Sequence, residues 1–107
     1  MLKPISAVVV TLLISSPAIS GEKPSPEEFC RSVSVVAEGV MEARQFGASL
    51  NEALDRIAKN PLSREIVLSA YEVDLRYSEA ARERAIGVFR DDWTLRCYRG
   101  ELATLAP

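Results

Sequence analysis

Histidine is absent from the 107-residue chain. A His-based catalytic triad, a His-ligated metal and a histidine pH switch are therefore excluded. Cysteine occurs only at Cys30 and Cys97, too few for a four-thiolate zinc site and without the Cys-x-x-Cys spacing of a redox pair. There is no Gly-x-Ser-x-Gly elbow, and within residues 21–107 neither Lys23 nor Lys59 has a serine three positions before it, so nothing activates a nucleophilic hydroxyl. A basic excess is also missing: the net charge is −2, which disfavours nucleic acid as a partner. The single long apolar run, Ile5 to Ile14, is half the length of a membrane span and is followed by Ser15-Ser16-Pro17.

That run reads instead as the core of an export signal. Lys3 supplies the positive start and Ala18-Ile19-Ser20 the small-x-small pattern that signal peptidase cuts after. The expected organisation is a signal peptide over 1–20 and one helical domain over 21–107, with no stable membrane anchor once the signal is removed. Losing Lys3 with the signal moves the net charge to −3. A short signal with no cysteine at its cut fits a bacterial protein of the periplasm or one secreted beyond it. In such an oxidising compartment Cys30 and Cys97 are expected to form a disulfide.

Helical signals fill the rest. Ser25-Pro26-Glu27-Glu28 is a start, with a serine cap, proline at the first helical position and glutamate at the capping-box position. Phe29, Val33, Val36, Ala37, Val40 and Met41 then form one stripe that ends at Arg44-Gln45-Phe46-Gly47. Ser49 to Glu52 opens a second helix with Leu50, Ala53, Leu54 and Ile57 inward, stopped at Asn60-Pro61. Ser63 is expected to cap a third, with Ile66, Val67, Ala70 and Tyr71 inward, running to about Tyr77. Ser78 starts a fourth that reaches Arg99. This helix carries two apolar lines, Ile86/Phe89/Trp93/Cys97 and Ala81/Val88/Leu95, and is expected to touch neighbours on two sides and sit at the centre. The fold class is thus all-α, a bundle of about four helices stapled by one disulfide. The bridge would set the first and fourth helices antiparallel.

Five acid-before-base pairs at four-residue spacing, Glu27/Arg31, Glu52/Arg56, Asp55/Lys59, Glu72/Arg76 and Asp92/Arg96, suit helical ion pairing. Asp91-Asp92 and Glu38 with Glu42 lack an apolar, concave setting to raise a carboxyl pKa, so no catalytic, cofactor-binding or metal-binding residue is assigned. Ten arginines against two lysines beyond residue 20 offer planar contacts to carboxylates or phosphates. Arg82 and Arg90 on the fourth helix are candidates for an interface, set against pairing with the interspersed Glu79, Glu83, Asp91 and Asp92. On the first helix Ser32, Val35 and Gly39 form a smooth surface opposite the stripe. Either helix two or three of the same chain or a second copy in a homodimer would fit it.

The ordered set Cys30, Ala37, Met41-Glu42-Ala43-Arg44-Gln45-x-Gly47, Ala70-Tyr71, Phe89 and Cys97 resembles a group of small exported helical proteins of proteobacteria and their phages. Those share a signal, two terminal cysteines and an Arg-Gln-x-Gly turn. Val73-Asp74 departs from the group, where proline often follows the Ala-Tyr pair. The resemblance implies fold and location and carries no activity. The function expected is that of a non-enzymatic envelope protein that binds a protein partner, as an inhibitor, immunity or accessory factor. The alternative is a small-ligand carrier, or an enzyme with a pocket that the sequence does not reveal, built for instance around Trp93, Tyr71 and converging arginines.

Overall fold

The computed structural model describes residues 25–105 as four α-helices: α1 (Pro26–Gln45), α2 (Leu50–Ile57), α3 (Pro61–Tyr71) and α4 (Glu79–Tyr98). The signal expected at 1–20 lies outside the described residues. Ser25, Ser49 and Ser78 cap α1, α2 and α4, each hydroxyl accepting from the backbone N–H three residues on. Both long helices end in the same six-to-one and five-to-two pattern. Ala48 and Gly47 donate to the carbonyls of Ala43 and Arg44, and Glu101 and Gly100 to those of Arg96 and Cys97. The pattern requires a left-handed residue, and Gly47 and Gly100 supply it at φ 92° and 76°.

The start of α3 differs from the expectation. Asn60 is the cap and Ser63 its third residue: Ser63 N–H donates to Asn60 Oδ1 at 2.9 Å, and Ser63 Oγ accepts from Asn60 N–H at 3.1 Å. Pro61 decides this, because a proline holds the residue before it extended and itself fits the first helical position. The end of α3 also differs, at Tyr71 instead of about Tyr77.

Helices α1 and α4 run antiparallel, as the bridge requires. Cys30 is bonded to Cys97 with Cα atoms 5.6 Å apart. One turn further along α1, the Ser34 and Thr94 hydroxyls are hydrogen-bonded, and a turn beyond that Arg90 lies 3.8 Å from Glu38. Each step up α1 is matched by a step down α4. The core lies between α1, α3 and α4, with Val33, Ala37, Val40 and Met41 facing Ile66, Val67, Ala70, Phe89 and Trp93. Trp93 donates its indole N–H to Ser69 Oγ at 3.2 Å, which satisfies its one buried polar atom. Ala53 of α2 and Leu102 in the turn after α4 close the two ends.

The centre of this bundle is α1, which packs against all three other helices, and not α4 as the two apolar lines suggested. Only the Phe89/Trp93/Cys97 line is buried. Val88 and Leu95 on the other are 65% and 48% exposed, because α2 packs on α1 and α3 and leaves that flank of α4 uncovered. Leu50, expected inward, is exposed in the first turn of α2. None of the five expected ion pairs closes. Arg96 instead stacks 4.2 Å over the Trp93 ring and reaches Glu101 at 3.7 Å, while the Lys59 ammonium donates to the Asp55 carbonyl.

Candidate interaction surfaces

The α3–α4 connection is held from a distance by the end of α1. Arg44 Nε donates to the Val73 carbonyl at 3.1 Å. Gln45, only 6% exposed, uses both halves of its amide: Nε2 donates to the Asp74 carbonyl at 3.0 Å and Oε1 accepts from Arg76 N–H at 2.8 Å. These bonds occupy backbone groups that a longer α3 would have kept in its own ladder, which is why that helix stops early. The Arg44 guanidinium lies 5.0 Å over the Tyr71 ring, and the Tyr71 hydroxyl donates to the Ala48 carbonyl at 2.6 Å. Burial pushes that hydroxyl above the ordinary phenol value of 10.0, against the pull of Arg44 and with a smaller push from Glu52. Arg44 therefore binds the connection and not the last carbonyls of its own helix.

This clamp fixes the backbone on either side of Leu75 and leaves the side chains outside. Leu75 and Arg76 are exposed, and Tyr77 is 91% exposed. Leucine, arginine and tyrosine offer apolar area, a planar cation and a rigid ring on a backbone already ordered, which lowers the entropy lost on binding. Sequence reasoning missed this site by assigning residues 72–77 to α3. One signal was there: Gln45 falls on the same stripe as Met41, and a polar residue in an apolar stripe implies a buried partner.

The expected interface residues are separated. Arg82 and Arg90 share an open groove of about 410 Å³ between α1 and α4 with Glu38, Glu42, Glu79 and Glu83. Arg90 is engaged there by Glu38 and by Asp91 at 3.0 Å, and Arg82 lies 5.6 Å over the Phe46 ring. Arg90 is thus paired within the chain, whereas among the described residues Arg82 makes no ion pair and its buried Nε has no hydrogen-bond partner. Ser32 borders the other flank, a shallow cleft between α1 and α3. Val35 is 70% exposed, and a Cβ added at Gly39 would meet nothing within 4 Å. Packing of that surface on helix two or three is thereby corrected: it faces outward, since both of those helices lie on the stripe side of α1.

A larger open cleft, about 540 Å³, runs along the uncovered flank of α4. Ala81, Ala85, Val88 and Val73 line it, with Arg76 and Arg84 towards one end and Asp92 towards the other. Trp93 and Tyr71 line none of the clefts described above; the first is enclosed beneath Arg96, and the second spends its hydroxyl on backbone. Among the described residues no group of three or more His, Cys, Asp or Glu side chains is placed to hold a metal, and no helix is long and apolar enough to cross a membrane. Compared with family models, curated proteins and solved structures, the chain matches none of them.

Proposed function

We propose that this is an exported, non-enzymatic protein that binds a protein partner in the bacterial envelope, as an inhibitor, immunity or accessory factor. The observation that carries the reading is the clamp: a buried glutamine and a ring-stacked arginine hold the backbone of residues 73–76 while Leu75, Arg76 and Tyr77 stand in solvent. Arginine and tyrosine are among the residue types that dominate binding energy at protein interfaces. Export rests on the signal-like pattern of residues 1–20, and the Cys30–Cys97 bond is consistent with an oxidising compartment.

The test is a photocrosslinking residue placed at Tyr77 in cells that express the full chain, with a second placed at Glu65 on the outer face of α3 as control. A discrete adduct from position 77, absent from the control and lost in Arg76→Glu, supports the reading. If neither position yields an adduct from the envelope fraction, or both yield the same smear, the loop is not a binding element.

A further inference from the structure

The cleft on the outer flank of α4 has a self-complementary pattern. Around Val88 the residues seven positions away are Ala81 on one side and Leu95 on the other, and those four positions away are Arg84 and Asp92. At 100° per residue all four lie within about 40° of Val88, on one face of the helix. That face is uncovered: Val88 and Leu95 are exposed, and the cleft includes Ala81, Arg84, Val88 and Asp92. Within two turns of Val88 size and charge therefore both reverse about the same point, with Ala81 and Arg84 on one side and Leu95 and Asp92 on the other.

We infer that a second copy of this chain occupies this cleft, with α4 antiparallel to its partner's α4 about a two-fold axis at Val88. An isologous contact needs a patch that complements itself, and this one does so in two independent properties. The axis sets each Leu95 over the other copy's Ala81, where the cleft has room for it. Each Arg84 lands beside the other copy's Asp92, and two Val88 side chains meet at the middle. An unrelated partner would need size or charge matched to the patch but has no reason to follow its reversal about one residue. The proposal does not rest on the loop reading: Arg76 borders the cleft, but the contact is centred on Val88 and Tyr77 does not line it. It also moves dimerisation away from the Ser32, Val35, Gly39 surface, whose residues show no such reversal.

The oxidised protein, purified from cells expressing the full chain, is measured by sedimentation velocity across a concentration series. The expected mass is that of two chains. Val88→Glu, an exposed position whose change leaves the core intact, should give one chain with unaltered helicity. Arg84→Asp should weaken the dimer roughly tenfold or more by setting acid against acid, and Arg84→Asp with Asp92→Arg should restore it. Gly39→Arg should leave it unchanged. A single-chain mass for the parent protein at the highest soluble concentration overturns the proposal. So does a dimer that survives Val88→Glu, one that Gly39→Arg dissociates, or a double swap no better than the single one. A cleft that takes a small apolar ligand, raising the melting temperature of a single-chain species, is also a contrary result.

Discussion

The two ends of the α1–α4 pair are closed by different means. At one, Cys30 and Cys97 are joined covalently. At the other, Arg44 and Gln45 reach across from the end of α1 to the backbone of residues 73–76 with neutral and charge-assisted hydrogen bonds. The covalent end acts mainly on the unfolded chain, whose freedom it restricts, and asks little of the side chains around it. The hydrogen-bonded end acts on the folded state only. It fixes where a connecting segment runs, and each missing partner leaves a buried group unsatisfied. Stability and placement are thus assigned to opposite ends of one helix.

The largest effect expected is loss of the bond. Cys30→Ala with Cys97→Ala opens a crosslink between residues 67 apart and should lower unfolding free energy by about 4 kcal/mol, measured by chemical denaturation. Amide exchange in the 73–76 segment should change no more than the global loss demands. At the opposite end Gln45→Leu should cost about 1–3 kcal/mol, since it orphans the Asp74 carbonyl and the Arg76 N–H. Here the sharp readout is local: exchange at the Arg76 amide should rise well above what the global loss accounts for, and an unaltered rate would show that the clamp holds nothing.

How much of this was legible beforehand follows the range of the interactions. The start and stop of α1 and α4 are written within four residues of where they occur, in Ser25, Ser78, Gly47 and Gly100, and the span of both could be read directly. The connection could not, because its course is set by Arg44 and Gln45, 29 to 31 positions earlier. Local periodicity ran on through it as if it were helix. The inward face of α4 was ambiguous for another reason, since two apolar lines of similar strength were present. Cys97 lies on one of them, and once it is bonded to α1 that line must face inward. The separate fates of Arg82, Arg90 and Val35 depend on which flank of α1 each neighbour covers, which no local pattern encodes.

A smaller effect sharpens the same contrast through pH. The raised pKa of Tyr71 means the folded protein favours the neutral hydroxyl. That contribution is intact below the free phenol value near 10 and is lost as pH rises through the higher folded value. Tyr71→Phe should cost about 1 kcal/mol at neutral pH through its bonds to Ala48 and Ser49, and should flatten the alkaline decline in stability. A decline as steep as the parent's would assign it to other groups. The smallest effect belongs to neither end. Gly39→Arg, midway along α1 in open space, should raise stability by about 0.5–1 kcal/mol through helix propensity, read as a higher denaturation midpoint.

The bond between Cys30 and Cys97 also decides what a single cut does to the molecule. The exposed segment around Tyr77 is the most accessible stretch between α3 and α4, and it lies between the two cysteines in the chain. Cleavage there would leave α1 to α3 on one fragment and α4 on the other, yet the fragments would stay tethered, with α4 still held beside α1. The nicked protein would migrate as one species until a reductant separated it into two. A molecule that displays a loop in the open can thus lose the continuity of its backbone without losing the connection between its parts.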